Sequence, residues 1–382
     1  MNLGHSHRIL PFVVILCAIT LLMTRSYAHN EFDFIQIADT KNKRILYDNN
    51  INGYWVASWP HGLILLTEDQ PGQWSYQRYI LDWVYDICGP DSNGYLYCTH
   101  WRLPEDSGIY VFNTITRTVV YDIDPFPGHK LTGLTLNQDE TRLYVLGRTS
   151  SQSWGSWMEP DTGIVFEIDI TSPTYDILDQ GITSALPSTI YYSESNTGPD
   201  KLVIYCLQTN HYTEYRRVPE CRTDIIEVSP GLPRVAQLRT SFQGSWPFYN
   251  DMIKWSDDPP LVALLNMQAW FAYHEYPDVY SSILILNTDT HEIVNRINLY
   301  GDTGGLQGAS HGVISNVYPG WVYFTVGSSG GEVNIIDYNT GSFIKRIPFP
   351  TDIKPDFLCE TPDGRLIVTG FKDDRIFIVD PS

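Results

Sequence analysis

The stretch HGVISNVYPGWVYFTVG, residues 311–327, decides the fold. Two short apolar runs flank a Tyr-Pro-Gly turn, so the chain is expected to fold back on itself as two antiparallel strands. The pattern returns in LTGLTLNQDETRLYVLG (131–147) and PDFLCETPDGRLIVTG (355–370). Weaker copies are YWVASWPHGLILLT (54–67), WVYDICGPDSNGYLYC (83–98), STIYYSESNTGPDKLVIYC (188–206) and YNDMIKWSDDPPLVALLN (249–266). Seven hairpins of this first kind are counted.

A second kind alternates with them. It comprises IYVFNTITRTVVYDI (109–123), IVFEIDITSPTYDIL (164–178), DIIEVSPGLPRVAQL (224–238), ILILNTDTHEIVNRI (283–297) and VNIIDYNTGSFIKRI (333–347). FIQIADTKNKRILY (34–47) is grouped with these, and GQWSYQRYIL (72–81) fits poorly. One hairpin of each kind gives four strands per unit at a spacing of roughly 50 residues, the range of propeller repeats. No amphipathic helix longer than two turns is read. The expected fold is therefore all-β, a seven-bladed β-propeller. RIFIVD (375–380) supplies one strand beyond the last hairpin, so the N-terminal strand is expected to complete the last blade and close the ring. A β-sandwich or two small barrels would use similar hairpins without explaining seven alternations.

NTITRTVVYDID, NTDTHEIVNRINL and DYNTGSFIKRIPF resemble the D-x-x-T-x-x-x-V-x-x-I segment of YVTN-type repeats. TPDGRLIVTG and NQDETRLYVLG resemble the P-D-G-x-x-L-Y-V-T-N segment that completes such a repeat. The likeness covers about two thirds of the chain, and it is to the YVTN and lactonase-like superfamily of seven-bladed propellers. It implies turn-forming Asp and Gly and apolar packing between blades. Because that superfamily holds surface proteins, binding proteins and some enzymes, it leaves function open.

Residues 1–28 read as a signal peptide. Arg8 gives a positive start, Ile9 to Met23 an apolar stretch too short to span a bilayer, and Ser26-Tyr27-Ala28 a cleavage site. Residues 29–382 would then form one exported domain, secreted, periplasmic or at the cell surface, without a membrane span. Retention of the segment as an anchor is the alternative. Cleavage would leave 23 basic against 44 acidic residues, a surface that disfavours nucleic acid.

In an oxidising compartment two disulfides are expected: Cys206–Cys221 across a 14-residue loop, and Cys88–Cys98 across a hairpin. Cys359 is left as a buried free thiol.

Three connections between second and third strands are long: 148–163, 208–223 and 268–281. Their length and aromatic content suggest a ligand face, or else a plug for the channel mouth. The proposed anchors are Trp154, Trp157, Tyr212, Tyr215, Trp270 and Tyr273, with Arg148 and Arg216 as polar partners. His100, His129, His274 and His311 are assigned to the same face and are the candidate catalytic groups. No compact motif supports them, and GASHG (308–312) is the most suggestive. Asp82, Asp124, Asp179 and Glu275 are weaker candidates.

Two functions are carried forward. The first is a non-catalytic, monomeric binding or scaffold protein whose partner is a protein, peptide or carbohydrate. The second is a lactonase-like or saccharide-directed hydrolase with a metal or a His–carboxylate pair at the channel mouth. The sequence names no metal ligand set and no cofactor.

Overall fold

The computed structural model describes residues 33–37, 41–59, 62–79, 83–102, 106–124, 126, 128–149, 163–184, 187–212, 217–239, 251–265, 282–298, 309–326, 331–350, 353, 355–370 and 374–382. The expected signal segment lies outside them. Among them no helix is long and apolar enough to cross a membrane.

The strands form seven antiparallel four-stranded sheets, the blades of a propeller. We number them 1 to 7 by their innermost strands: Lys41–Asp48, Trp83–Cys88, His129–Leu136, Pro187–Ser193, Met252–Ser256, Ala309–Ile314 and Pro355–Glu360. Second strands are buried on both faces, and Leu366–Gly370 of blade 7 reads as an unbroken buried run. Outer strands such as Phe343–Pro348 of blade 6 are mostly exposed. Burial is therefore continuous near the channel, whereas apolar residues of the rim, such as Val120, Val294 and Phe343, are exposed.

Each of the seven buried clusters joins one blade to the next. Trp55 and Leu63 of blade 1 meet Val84, Leu96 and Phe112 of blade 2. Ile45 and Val56 of blade 1 meet Ile367 and Ile376 of blade 7. A single blade cannot bury both of its faces, so stability resides between repeats.

The ring closes as expected, through pairs Asp33↔Ile378, Phe34↔Phe377, Ile35↔Ile376 and Gln36↔Arg375. The grouping of 34–47 as one hairpin is corrected. Asp33–Gln36 is the outer strand of blade 7, whereas Lys41–Asp48 is the innermost strand of blade 1. Residues 54–67 accordingly span the second and third strands of blade 1, and Gln73–Tyr79 is its outer strand.

The turn chemistry is local and repeated. In NTITR, NTDTH and DYNTG, the Oδ1 of Asn113, Asn287 and Asp337 accepts backbone N–H groups two and three residues on, at 2.8–3.0 Å. The fifth residue then turns left-handed, with φ 59° at Arg117 and His291 and 68° at Gly341.

Both expected disulfides are corrected. Cys88, Cys98 and Cys206 are free thiols. The register pairs Cys98 with Ile87 and Cys88 with Tyr97, and likewise Cys206 with Arg222 and Cys221 with Leu207. Each pair is offset by one residue, and in a pleated strand that places the two positions on opposite faces. Cys359 is a free, half-buried thiol.

Candidate functional site

Antiparallel pairing fixes which ends of the strands share a face. In blade 6, Ala309, Val326, Glu332 and Pro348 lie level across the four strands. The start of the innermost strand therefore sits on the same face as the connection from second to third strand. We call this the upper face.

Innermost strands carry bulges near this end, with register shifts at 42/45, 84/86, 131/134, 187/189, 309/311 and 355/358 in blades 1, 2, 3, 4, 6 and 7. A bulge re-aims the side chain next to it. In blades 2, 6 and 7 a buried threonine on the second strand steadies it. Thr99 accepts the Asp86 N–H at 3.0 Å, Thr325 the His311 N–H at 3.0 Å, and Thr369 the Phe357 N–H at 3.2 Å. The same hydroxyls can donate back to the carbonyls of Asp86, His311 and Phe357.

The residues so presented converge. Arg44 of blade 1 places Nε 3.0 Å from Asp86 of blade 2, and a terminal guanidinium nitrogen 3.3 Å from Asp251 at the head of blade 5. His311 of blade 6 reaches the other Asp251 oxygen at 2.9 Å through Nε2. Phe357 of blade 7 lies 5.9 Å below the Arg44 guanidinium and 4.8 Å from the His311 ring, centre to centre. Five of the seven blades thus meet in one buried polar cluster across the channel.

Its electrostatics are uneven. Burial pushes the Asp251 carboxyl up, but His311 and Arg44 outweigh it and hold the group below the ordinary carboxylate range. Burial dominates at Asp86 and raises it, although Arg44 and the Ile87 and Leu134 N–H groups oppose the rise. Burial alone would lower Arg44, yet the two carboxylates keep its guanidinium firmly charged. Cys88 sits nearby, and burial pushes its thiol far from reactivity.

Both ring nitrogens of His311 are engaged. The Leu358 N–H points at Nδ1 from 3.4 Å, which assigns the ring proton to Nε2 and directs it at Asp251. No lone pair is left to take a proton from a substrate, as a general base must.

The other histidines go elsewhere. His100 is fully buried inside blade 2, bonded to Asp122 at 2.8 Å and stacked on Tyr110 at 3.9 Å. It passes over Gly108, where any Cβ would stand 2.6 Å from His100 Nε2, so it ties the second strand of the blade to the fourth. His129 begins the innermost strand of blade 3 with its ring edge-on to Phe166, and its carbonyl accepts from Ser107. Arg148 ends the second strand of blade 3 near Tyr85, and burial lowers its guanidinium. Asp179 of the outer strand of blade 3 accepts the Gly231 N–H.

Trp154, Trp157, Tyr215, Arg216, Trp270, Tyr273, His274 and Glu275 lie outside the described residues, as does Asp82. The expectation of a long loop over 208–223 is corrected. The second and third strands of blade 4 continue past the blade edge as a two-stranded ribbon, still paired at Gln208↔Glu220, His211↔Val218 and Tyr212↔Arg217. The ribbon rises on the upper face.

Sequence reasoning found His311 and missed Arg44, Asp86 and Asp251. For Arg44 and Asp86 the one available signal was a charged residue at the bulge of a channel-lining strand; Asp251, at the head of blade 5, offered none. Among the described residues no three His, Cys, Asp or Glu side chains converge as a metal-holding group.

No family model and no curated protein matches the chain. Among solved structures, it is similar to the C-terminal WD40 domain of Sif2, with a TM-score of 0.52 and 10% identity over 91% of this chain and 84% of that one. At that identity the likeness concerns fold, and the fold it supports is the β-propeller.

Proposed function

We propose that the chain is an exported, non-catalytic binding propeller whose upper face, carrying the ribbon and the connections 148–163 and 268–281, engages a protein, peptide or carbohydrate. The observation that carries this reading is the state of the channel cluster. His311 has both nitrogens engaged and Asp251 is shared between His311 and Arg44, so this pair ties blades together and is not poised as a general base. Binding proteins within the YVTN-like superfamily, which the repeats resemble, fit the same role.

The test is an array of immobilised oligosaccharides and peptides overlaid with the purified chain. Trp154→Ala and Trp270→Ala should each weaken a positive signal by about 2 kcal/mol or more without lowering the melting temperature. His311→Ala should leave it unchanged in protein that remains folded. Lactone or glycoside hydrolysis that disappears in folded His311→Ala would replace this reading with the hydrolase.

A further inference from the structure

The lower end of the channel is built differently. Two cavities of about 650 and 530 Å3 adjoin there, each of the size that holds small ligands, and the larger runs up the innermost strand of blade 5 as far as Met252. They share Tyr191, Lys254, Ser256 and Asp257, so together they form one trough beneath blades 3 to 6. The larger compartment is walled by Met252, Ile253, Trp255, Val313 and Tyr338. Trp255, 8% exposed, stacks on Tyr338 at 4.7 Å and 25°, which backs this wall with fixed aromatic rings.

The smaller compartment is lined by the carboxylates of Glu194, Asp200 and Asp257 against a single ammonium, Lys254. These groups are not equally committed. Asp200 accepts the Tyr192 hydroxyl and, at 2.9 Å, the Ser195 N–H. Asp257 pairs with Lys254, and both side chains are more than half exposed, so an incoming cation can replace the lysine at little cost. Glu194 stands exposed at the rim near the Gln138 amide. Tyr191 lies between the compartments, where burial, Asp257 and Glu194 all push its phenol up and keep it neutral.

We propose that this trough binds a small amphipathic cation, its flat apolar part against Tyr191 and Trp255 and its ammonium or guanidinium group toward Glu194 and Asp257. An apolar wall flanked by two carboxylates selects such a molecule over neutral and anionic analogues of the same shape. The site is at the opposite end of the channel from the upper face and does not depend on the reading of that face.

The experiment titrates the full chain with tryptamine, neutral 3-ethylindole and anionic indole-3-propionate, which share one ring system. Tryptamine should bind about tenfold more tightly than 3-ethylindole, a difference of about 1.4 kcal/mol, and indole-3-propionate most weakly. Glu194→Gln combined with Asp257→Asn should bring tryptamine down to the level of 3-ethylindole. Tyr191→Ala should weaken both, and Ile253→Trp, which fills the larger compartment, serves if Tyr191→Ala does not fold. Trp154→Ala and Trp270→Ala should leave all three affinities alone. Equal affinity for the three compounds, no binding of tryptamine at millimolar concentration, or tryptamine binding that survives the carboxylate double variant would overturn the proposal. So would loss of tryptamine binding in the upper-face variants.

Discussion

The two ends of the channel solve one geometric problem in opposite ways. Seven innermost strands cannot fill the axis of the ring with aliphatic side chains alone. At the upper end the gap is crossed by Arg44, Asp86, Asp251 and His311, each held by a neighbour or by backbone N–H groups. At the lower end Asp48 and Glu360 are buried beside Trp55 and Ser315, but around the trough the aromatic walls stand apart and Glu194 and Asp257 stay near water. Buried charges must be paired, and pairing dictates geometry closely, whereas an apolar wall beside solvent tolerates an empty space. The upper end is therefore specified, and the lower end is free to take a ligand.

Removing the cation should break the upper end most severely. Arg44→Met leaves Asp86 and Asp251 buried without their guanidinium and should cost about 3–5 kcal/mol in urea unfolding. Combining it with Asp86→Asn and Asp251→Asn should recover a good part of that loss, because no uncompensated charge remains. The single variant should also gain stability as the pH falls. Burial already raises Asp86, and without Arg44 the folded state would hold its proton more strongly than the unfolded chain does. A loss below about 1 kcal/mol would mean that the charges do not hold the upper end, and the contrast between the two ends would collapse.

A smaller effect is expected from the groups that aim the cluster. Thr325 is fully buried; its hydroxyl accepts the His311 N–H and turns its one proton to the Asp356 carbonyl, with the His311 carbonyl at 3.3 Å as the alternative acceptor. Thr325→Val keeps the shape and strands those backbone groups, at about 1–3 kcal/mol. Thr369→Val, which serves Phe357 in the same way, should cost no more, since Phe357 carries no charge to be positioned. If calorimetry ranks the two in reverse order, the bulge threonines support packing and the aiming argument fails.

What the sequence showed and what it hid follow from the same physics. Hairpins were visible because alternation and turn residues are local, and the ring closure because RIFIV needed a partner strand. Arg44 was hidden because Asp33–Gln36 and Lys41–Asp48 read as one hairpin, although they belong to different blades. Asp86 lay inside WVYDIC, where a polar residue in an alternating run reads as solvent-facing. Arg44 and Asp251 are 207 residues apart, and only closure of the ring brings them together. The disulfides failed on a single residue of register, which loop length does not reveal. The ribbon of 207–212 and 217–221 was missed similarly, since aromatic-rich sequence suits a strand as well as a loop.

The smallest expected effect belongs to the lower face, where charges sit in pairs at the surface. Arg365 of blade 7 donates two hydrogen bonds to Glu68 of blade 1, at 3.0 and 2.7 Å, across the seam where the ring closes. The Arg365 hydrogen bonds lower the Glu68 carboxyl below its ordinary value, helped by the Gly72 N–H and opposed by burial. A carboxyl lowered in the folded state stabilises it above the unfolded value, and that contribution fades as the pH falls through the folded one. Glu68→Gln should therefore cost up to about 1 kcal/mol near neutral pH, with the gap to the parent closing below about pH 4. Raised salt should shrink the same gap, because a half-exposed pair is screened, whereas the Arg44 loss should persist. Urea unfolding of both variants at two ionic strengths measures this. If Glu68→Gln proves the costlier and the less salt-sensitive, the seam rather than the channel cluster holds the ring shut.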